Sequence, residues 1–348
     1  MWFHSVTHAA GEPSARGPVT SRDPNVDALR GFAIVAMVAA NMAAHSLREP
    51  HPLAFRLYGS LAAPTFIFLS GMLVGQSREP GRAGLLRALK RTLVLWGWAV
   101  VLDVGVWQVE PFDTFDVLYV IGLALPAAWL CGALPAAGHA MIAALVLLLT
   151  PWLQQRFGYR LSLSGEQEVV LDAAQRLLVD GWFPIFPWLG VALGGALVGR
   201  LRKAASPLVT PRALLVQGAQ LCLLGIASWA LAPHGFPTRA GYSELFYPPS
   251  FAVATFSLGL VLALLGAVPR VRLALPLGWL EVLGRASLPL YVVHCAVIGF
   301  VTKRWFPDRA LPTFALLYLG HLALLGALAR AWAELKRAGF LAQRRTAR

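Results

Sequence analysis

Long apolar runs broken by short polar clusters set the pattern of this chain. Each run is close to the ~20 residues that a helix needs to cross a bilayer. They predict about ten membrane-spanning helices, over 27–47, 53–76, 91–108, 116–134, 136–153, 182–200, 212–232, 247–268, 280–302 and 311–331. A short turn at Pro135 separates the fourth from the fifth. The expected class is all-α, a polytopic integral membrane helical bundle. Residues 1–24 are polar and rich in Pro, Gly and Ser, with no apolar core. They read as a disordered cytoplasmic tail rather than a cleavable signal. Residues 25–335 form one membrane domain, and 336–348 a basic cytoplasmic tail.

Composition strengthens this picture. Hydrophobic residues make up 57% of the 348 and charged residues 14%. A soluble domain carries roughly 45–50% and about 25%. A soluble enzyme, a disordered chain, a collagen-like repeat and a disulfide scaffold are all excluded. The net charge of +13 would suggest nucleic acid on a soluble protein. Here it belongs to the loops. Arg78, Arg82, Arg87, Lys90 and Arg91, then Arg200, Arg202, Lys203 and Arg212, then Arg270 and Arg272, fall on one side if ten spans are counted. So do Lys336, Arg337, Arg344, Arg345 and Arg348. The positive-inside rule makes that side, with both termini, cytoplasmic. The opposite loops hold Glu110, Asp113 and the long stretch 154–181. Cys131, Cys222 and Cys295 sit in apolar runs without metal spacing and read as small hydrophobes. No internal repeat is evident, which weakens a transporter built on inverted repeats.

Candidate chemistry concentrates in few places. The first span opens with Asp27-Ala-Leu-Arg30-Gly31, an acid and a base on one helical face that can pair. Arg30 at the rim suits a phosphate, or simply snorkels to set topology. Asn41 lies on the same face, about three turns and ~16 Å further along, and His45 one turn beyond it. Polar groups at that depth face a bundle interior or bridge helices. His51 follows Pro50 in the next outer loop; His is the commonest general base, and an exposed loop His is often only solvated. In span two, Pro64 is expected to kink the helix, with Ser70 and Gly71 permitting close helix approach. The Gly181–Trp188 stretch, with Pro184 and Pro187, reads as an interfacial turn opening span six. Span nine carries Arg285 at its cytoplasmic end and His294 near midplane. Asp103, in the outer half of span three, is placed to orient a His or neutralise an Arg. His139, His234 and His321 have no supporting context in the sequence.

Four of these segments occur together and in order. They are Asp27-Ala-Leu-Arg-Gly-Phe-Ala-Ile-Val-Ala-Met, Ala63-Pro-Thr-Phe-Ile-Phe-Leu-Ser-Gly, Phe183-Pro-Ile-Phe-Pro-Trp-Leu-Gly and Leu283-Gly-Arg-Ala-Ser-Leu-Pro-Leu-Tyr-Val-Val-His. Together they resemble the bacterial relatives of heparan-alpha-glucosaminide N-acetyltransferase, which are similar in turn to the acyltransferase-3 proteins. The resemblance implies transfer of an acyl group, chiefly acetyl, from cytoplasmic acyl-CoA to an outward-facing sugar or glycan. It implies the bacterial inner membrane and no metal. The implied partners are the bilayer, acyl-CoA, the glycan acceptor and a second copy in a homodimer, with no nucleic acid.

Many relatives place a His about eleven residues after the Arg of span one; this chain has Asn41 there. The lysosomal enzyme looks to have Asn at that point as well, with its active His just before span two. His51 is the nearest match, offset by about one residue, and His45 the next. The acid that precedes the Pro segment in the lysosomal enzyme is absent, with Ser60 and Leu61 in its place. The expected catalytic set is therefore His51, His45, Asn41 and His294. Arg30, Asp27, Arg78 and Arg285 are expected on the acyl-CoA. In this scheme Arg30 and the basic loop 78–91 clamp phosphates, Asn41 donates to the developing oxyanion, and the outer His takes the acceptor's proton or briefly carries the acyl group. A transporter or flippase without covalent chemistry is the competing class, separated by acyl-CoA dependence. A structural scaffold leaves the Arg30–Asn41–His45 stripe unexplained.

Overall fold

The computed structural model describes residues 22–113, 115–158, 173–231, 243 and 249–346, with side chains described as far as 338. The described residues are helical, joined by short turns, with one isolated β-bridge between Leu47 and Arg309. The helices are α1 Pro24–Ser46, α2 Leu53–Gly59, α3 Ala62–Ser77, α4 Arg82–Leu102, α5 Val117–Cys131 and α6 Ala136–Phe157. Then come α7 Ile185–Lys203, α8 Pro211–Leu231, α9 Phe251–Ala274, α10 Gly278–Arg285, α11 Ser287–Val297 and α12 Leu311–Thr346. Single π turns follow α4 at Asp103–Trp107 and α11 at Ile298–Thr302, and one precedes α7 at Arg176–Asp180.

Helix α1 is the axis of the bundle. Asp23 caps it by accepting from the Asn25 amide at 2.9 Å, and Pro24 occupies its first turn, where no amide donor is needed. Its apolar residues from Val26 to Ala43 are almost all buried, against α10, α3 and α2. Two crossings are backbone to backbone. A Cβ at Gly31 would stand 2.0 Å from the Leu280 carbonyl oxygen, and one at Gly284 within 1.9 Å of the Asp27 oxygen, so α1 and α10 touch through their main chains. Gly71, Gly75, Gly195 and Gly199 do the same for α3 and α7, as the small residues of span two suggested.

Six helices among the described residues are long and apolar enough to cross a membrane, or up to eight if each bent pair is one span. All ten expected segments are built on helix, but ten crossings are not what length and apolarity give. The reason lies in two elements. Helix α4 holds Arg82, Arg87, Lys90 and Arg91 in its first half, and α5 is only 15 residues long. The seventh expected span coincides with α8, while 232–242 and the His234 it contains lie outside the described residues.

Two expected spans are not a single regular helix. The second is α2 plus α3, which run on as one span across a two-residue turn at Ser60–Leu61. Pro64 therefore sits in the first turn of α3 and starts a helix instead of kinking one. The ninth is bent by 83° between α10 and α11. Pro289, in the first turn of α11, again stands where no donor is required. The expected tail from Lys336 continues α12 as helix to Thr346, while Met1–Ser21 lie outside the described residues.

Candidate active site

At the end of α1 that carries Asp27, the expected pair between Asp27 and Arg30 is replaced by a wider cluster. The Asp27 carboxylate, 2% exposed, takes Arg285 Nε at 3.4 Å and Arg22 Nε at 3.3 Å. Arg285 also reaches Glu281 at 3.1 Å. The main-chain contact of α1 with α10 delivers Arg285 to Asp27, which frees the Arg30 guanidinium to donate to the Ser287 hydroxyl. Arg30 is half-buried, and no carboxylate among the described residues pairs with it.

Three turns along α1, Asn41 Nδ2 meets His294 Nε2 at 3.1 Å, and His294 Nδ1 meets His321 Nε2 at 3.2 Å. An amide nitrogen only donates, so His294 Nε2 accepts and its Nδ1 carries the proton to His321. His294 is 0% exposed and His321 6%, whereas Asn41 is half-buried. The chain therefore braces the Asn41 amide from behind and leaves its second N–H unspent. His321, which no sequence feature marked, is thus part of the site: three helices, α1, α11 and α12, contribute one polar residue each. His45, one turn above Asn41, stacks on Trp107 with ring centroids 5.8 Å apart. The π turn after α4 places that Trp, and begins with Asp103, which accepts from the Tyr119 hydroxyl at 2.7 Å. A second buried acid, Asp116, takes the hydroxyl of Tyr291, three residues before His294.

The C-terminal end of α1 is stitched to the α11–α12 turn. Arg48 N donates to the Arg309 oxygen at 2.9 Å, Ser46 Oγ to the Phe306 oxygen, and Arg48 Nε to Asp308 at 3.2 Å. His51 hangs from this fixed end. Its Nε2 lies 2.9 Å from the Leu47 oxygen and its Nδ1 2.9 Å from Ser243 Oγ. The carbonyl only accepts, so Nε2 carries an N–H, and Nδ1 faces the Ser243 hydroxyl. Ser243 is 0% exposed, and its own carbonyl accepts from Arg56 Nε at 2.7 Å. Ser243 stands within an otherwise unremarkable stretch and had no signal in the sequence.

Arg78, expected on the acyl donor, lies at the far end of α3. Its guanidinium sits 5.0 Å over the Trp129 ring and donates to the Trp129 oxygen at 2.9 Å. Arg30 and Arg78 have separate partners, Ser287 for the one and Trp129 for the other. Among the described residues no group of three or more His, Cys, Asp and Glu side chains converges as a metal site.

The arrangement thus gives the N-terminal end of α1 an available cation, its middle a braced amide, and the turn after its C-terminal end a His held at both ring nitrogens. The catalytic family described as heparan-alpha-glucosaminide N-acetyltransferase matches residues 22–231, well over half the chain. The chain belongs to that family. It is a multi-pass membrane acetyltransferase, and the family's acyl donor is acetyl-CoA. Covalent chemistry thereby displaces the transporter reading. No curated protein matches the sequence. The family match contains Asp27, Arg30, Asn41, His45 and His51; Arg285, His294 and His321 lie beyond it, and the fold brings them back onto α1.

Proposed function

We propose that the protein moves an acetyl group from acetyl-CoA, entering at the cytoplasmic Asp27 end of α1, to the amine or hydroxyl of a sugar or glycan arriving at the outer end. The observation that carries this reading is the His-braced Asn41 on the buried helix α1, with Arg30 toward one end of that helix and His51 just beyond the other. The side chains present suit acetyl-CoA, whose phosphates need unpaired cations and whose thioester carbonyl needs a hydrogen-bond donor. Acetyl-CoA supplies the activated acyl group; everything else is done by the chain.

Arg30 holds phosphate, with Arg285 beside it and Asp27 fixing Arg285. The second N–H of Asn41 donates to the thioester oxygen as the acceptor attacks and charge develops there. His294 and His321 position that amide and take no proton, because the lone pair of His294 Nε2 is already engaged. His51 receives the acceptor's proton at Nδ1, the nitrogen now shared with Ser243. The carbonyl carbon–sulfur bond breaks, the new N–C or O–C bond forms, and CoA leaves as its thiolate, while the acceptor's proton stays on His51 until solvent takes it.

Height along α1 favours a second assignment of the base. Leu47, which anchors His51, is about 9 Å above Asn41, and His45 stands between them. Acetyl transfer from radiolabelled acetyl-CoA to a panel of amino sugars and glycans, with purified protein in detergent, tests both. His51→Ala is expected to lose about 10²–10⁴ in rate, as for a general base. Near-normal turnover in His51→Ala together with loss in His45→Ala moves the base to His45. If His51→Ala, His45→Ala and His294→Ala all stay active while folded, the mechanism fails.

A further inference from the structure

Beyond α1, a cavity of about 270 Å³ opens between the ends of α3, α5, α6 and α7. Arg78, Arg200, Lys203 and His139 line it, and no Asp or Glu is among its described lining residues. The three cations are held by carbonyls and not by carboxylates. Arg78 donates to the Trp129 oxygen, Arg200 to the Leu134 oxygen and Lys203 to the Arg78 oxygen. These contacts cap the ends of α3 and α5 and leave most of the N–H donors unspent. Glu79, the nearest acid in sequence, is engaged by Arg87 in the adjoining cavity.

A second observation is independent of these charges. His139 is 1% exposed, its Nε2 lies 3.1 Å from the Leu193 oxygen, and its Nδ1 has no partner. A buried ring nitrogen left unpaired is costly, so its place on the wall of a cationic cavity points to a ligand atom there. The same helix, α6, opens at Pro135 with no side-chain cap, which leaves its first-turn amides unclaimed by a capping side chain.

The cavity is separate from the α1 site. Arg202 points from α7 toward α1 and binds Asp23 at 2.7 Å. Arg200 is two residues away, about 200° round the helix, and Lys203 reaches Arg78 on the far side. Arg30 and this cavity therefore lie across α7 from one another.

We infer that Arg78, Arg200, Lys203 and His139 form a phosphate-binding site distinct from the Arg30 end of α1. The imidazole can meet a phosphate in two ways: Nδ1 accepts from the P–O–H of a phosphomonoester monoanion, or, toward an ionised phosphodiester that has no such proton, it is itself protonated and donates. Two sources present that group at the basic rim of a membrane bundle. One is the headgroup of an anionic phospholipid, which basic pockets between transmembrane helices bind. The other is the nucleotide portion of a CoA.

The test is a binding measurement on the full chain in detergent, independent of acetyl transfer. Adenosine 3′,5′-bisphosphate and short-chain phosphatidylglycerol serve as probes, with short-chain phosphatidylcholine as the lipid lacking net charge. At least one phosphate probe is expected to bind, and to lose about tenfold or more in Arg200→Gln and in the exposed Lys203→Gln. Arg212→Gln, an exposed cation on the same side of the bundle, is expected to bind like the parent. Preference for phosphatidylglycerol over both other probes makes the site a lipid headgroup site; preference for the bisphosphate makes it a nucleotide site. Absence of binding by both phosphate probes overturns the inference. So does equal affinity in folded Lys203→Gln, Arg200→Gln and Arg212→Gln. Because no acetyl group moves in this assay, equal affinity in the Arg200 and Lys203 variants leaves the acetyl-transfer mechanism at α1 standing, and the failure of that mechanism leaves this site standing.

Discussion

Arg30 is the residue on which the donor end of the site depends. Its neighbour Asp27 is already satisfied by Arg285 and Arg22, so removing the Arg30 guanidinium orphans no buried carboxylate. Arg30→Ala is therefore expected to fold and to lose acetyl-CoA affinity. A charge-assisted hydrogen bond contributes roughly 1.5–3 kcal/mol, or about 10- to 150-fold in Kd. Unchanged affinity in folded Arg30→Ala would remove it from the donor site. The residue could be picked out in the sequence because a cation at a rim beside an apolar helix is conspicuous. Asn41 and His294 could be picked out for the same reason, as polar groups at membrane depth. Their contact could not, since 253 residues separate them. His321 was invisible for a sharper reason. A single imidazole in an apolar helix looks the same whether or not another ring waits 3.2 Å away on a different helix. Ser243 and the exchange of partners around Asp27 belong to this class too: they arise from tertiary contacts that local spacing does not encode.

At the scale of elements, hydropathy located the helices well and misjudged how they are interrupted. Pro64 and Pro289 both begin helices, which periodicity cannot distinguish from kinking one when the break before them is two residues or fewer. Small residues were more informative. The α3–α7 crossing depends on Gly71, Gly75, Gly195 and Gly199, where a Cβ would stand 1.9–2.0 Å from a facing carbonyl oxygen. Backbone cannot yield as the end of a flexible side chain does. Gly195→Ala is therefore expected to destabilise by about 1–3 kcal/mol, the usual cost of overpacking. Gly97→Ala provides the contrast. That glycine lies in α4 with nothing within 4 Å of the added methyl, and a helical Gly→Ala change in open space stabilises by roughly 0.4–1 kcal/mol. Thermal unfolding in detergent should lower the midpoint for Gly195→Ala and hold or raise it for Gly97→Ala. Equal midpoints would mean that α3 and α7 can part enough to admit a methyl group.

At the scale of the whole molecule, α4 decides how often the chain crosses the membrane. Helices α4 and α5 make the difference between eight crossings and ten, and either number keeps both termini on one side. The first half of α4 is basic, but Leu93, Val94, Trp98, Val101 and, in the π turn, Val104 are all exposed. Exposed side chains of this kind, on successive turns of one helix, need lipid around them. From Thr92 to Trp107 the segment is about 24 Å long, close to the ~30 Å hydrocarbon core, and Arg91 is near enough to the end to snorkel. The expected arrangement is a full crossing, with Arg82 in the cytoplasm and Glu110 outside. Both side chains are exposed, so each can carry a probe without disturbing packing. In a background with Cys131, Cys222 and Cys295 replaced, an impermeant thiol reagent applied to intact cells should modify Glu110→Cys and spare Arg82→Cys until the membrane is opened. Labelling of both from outside, or of neither, would make α4 and α5 a re-entrant hairpin and reduce the count to eight. Labelling of Arg82→Cys alone would invert the whole bundle. The Arg30 end of α1 would then face away from the cytoplasm, and acetyl-CoA would have no route to it from that side.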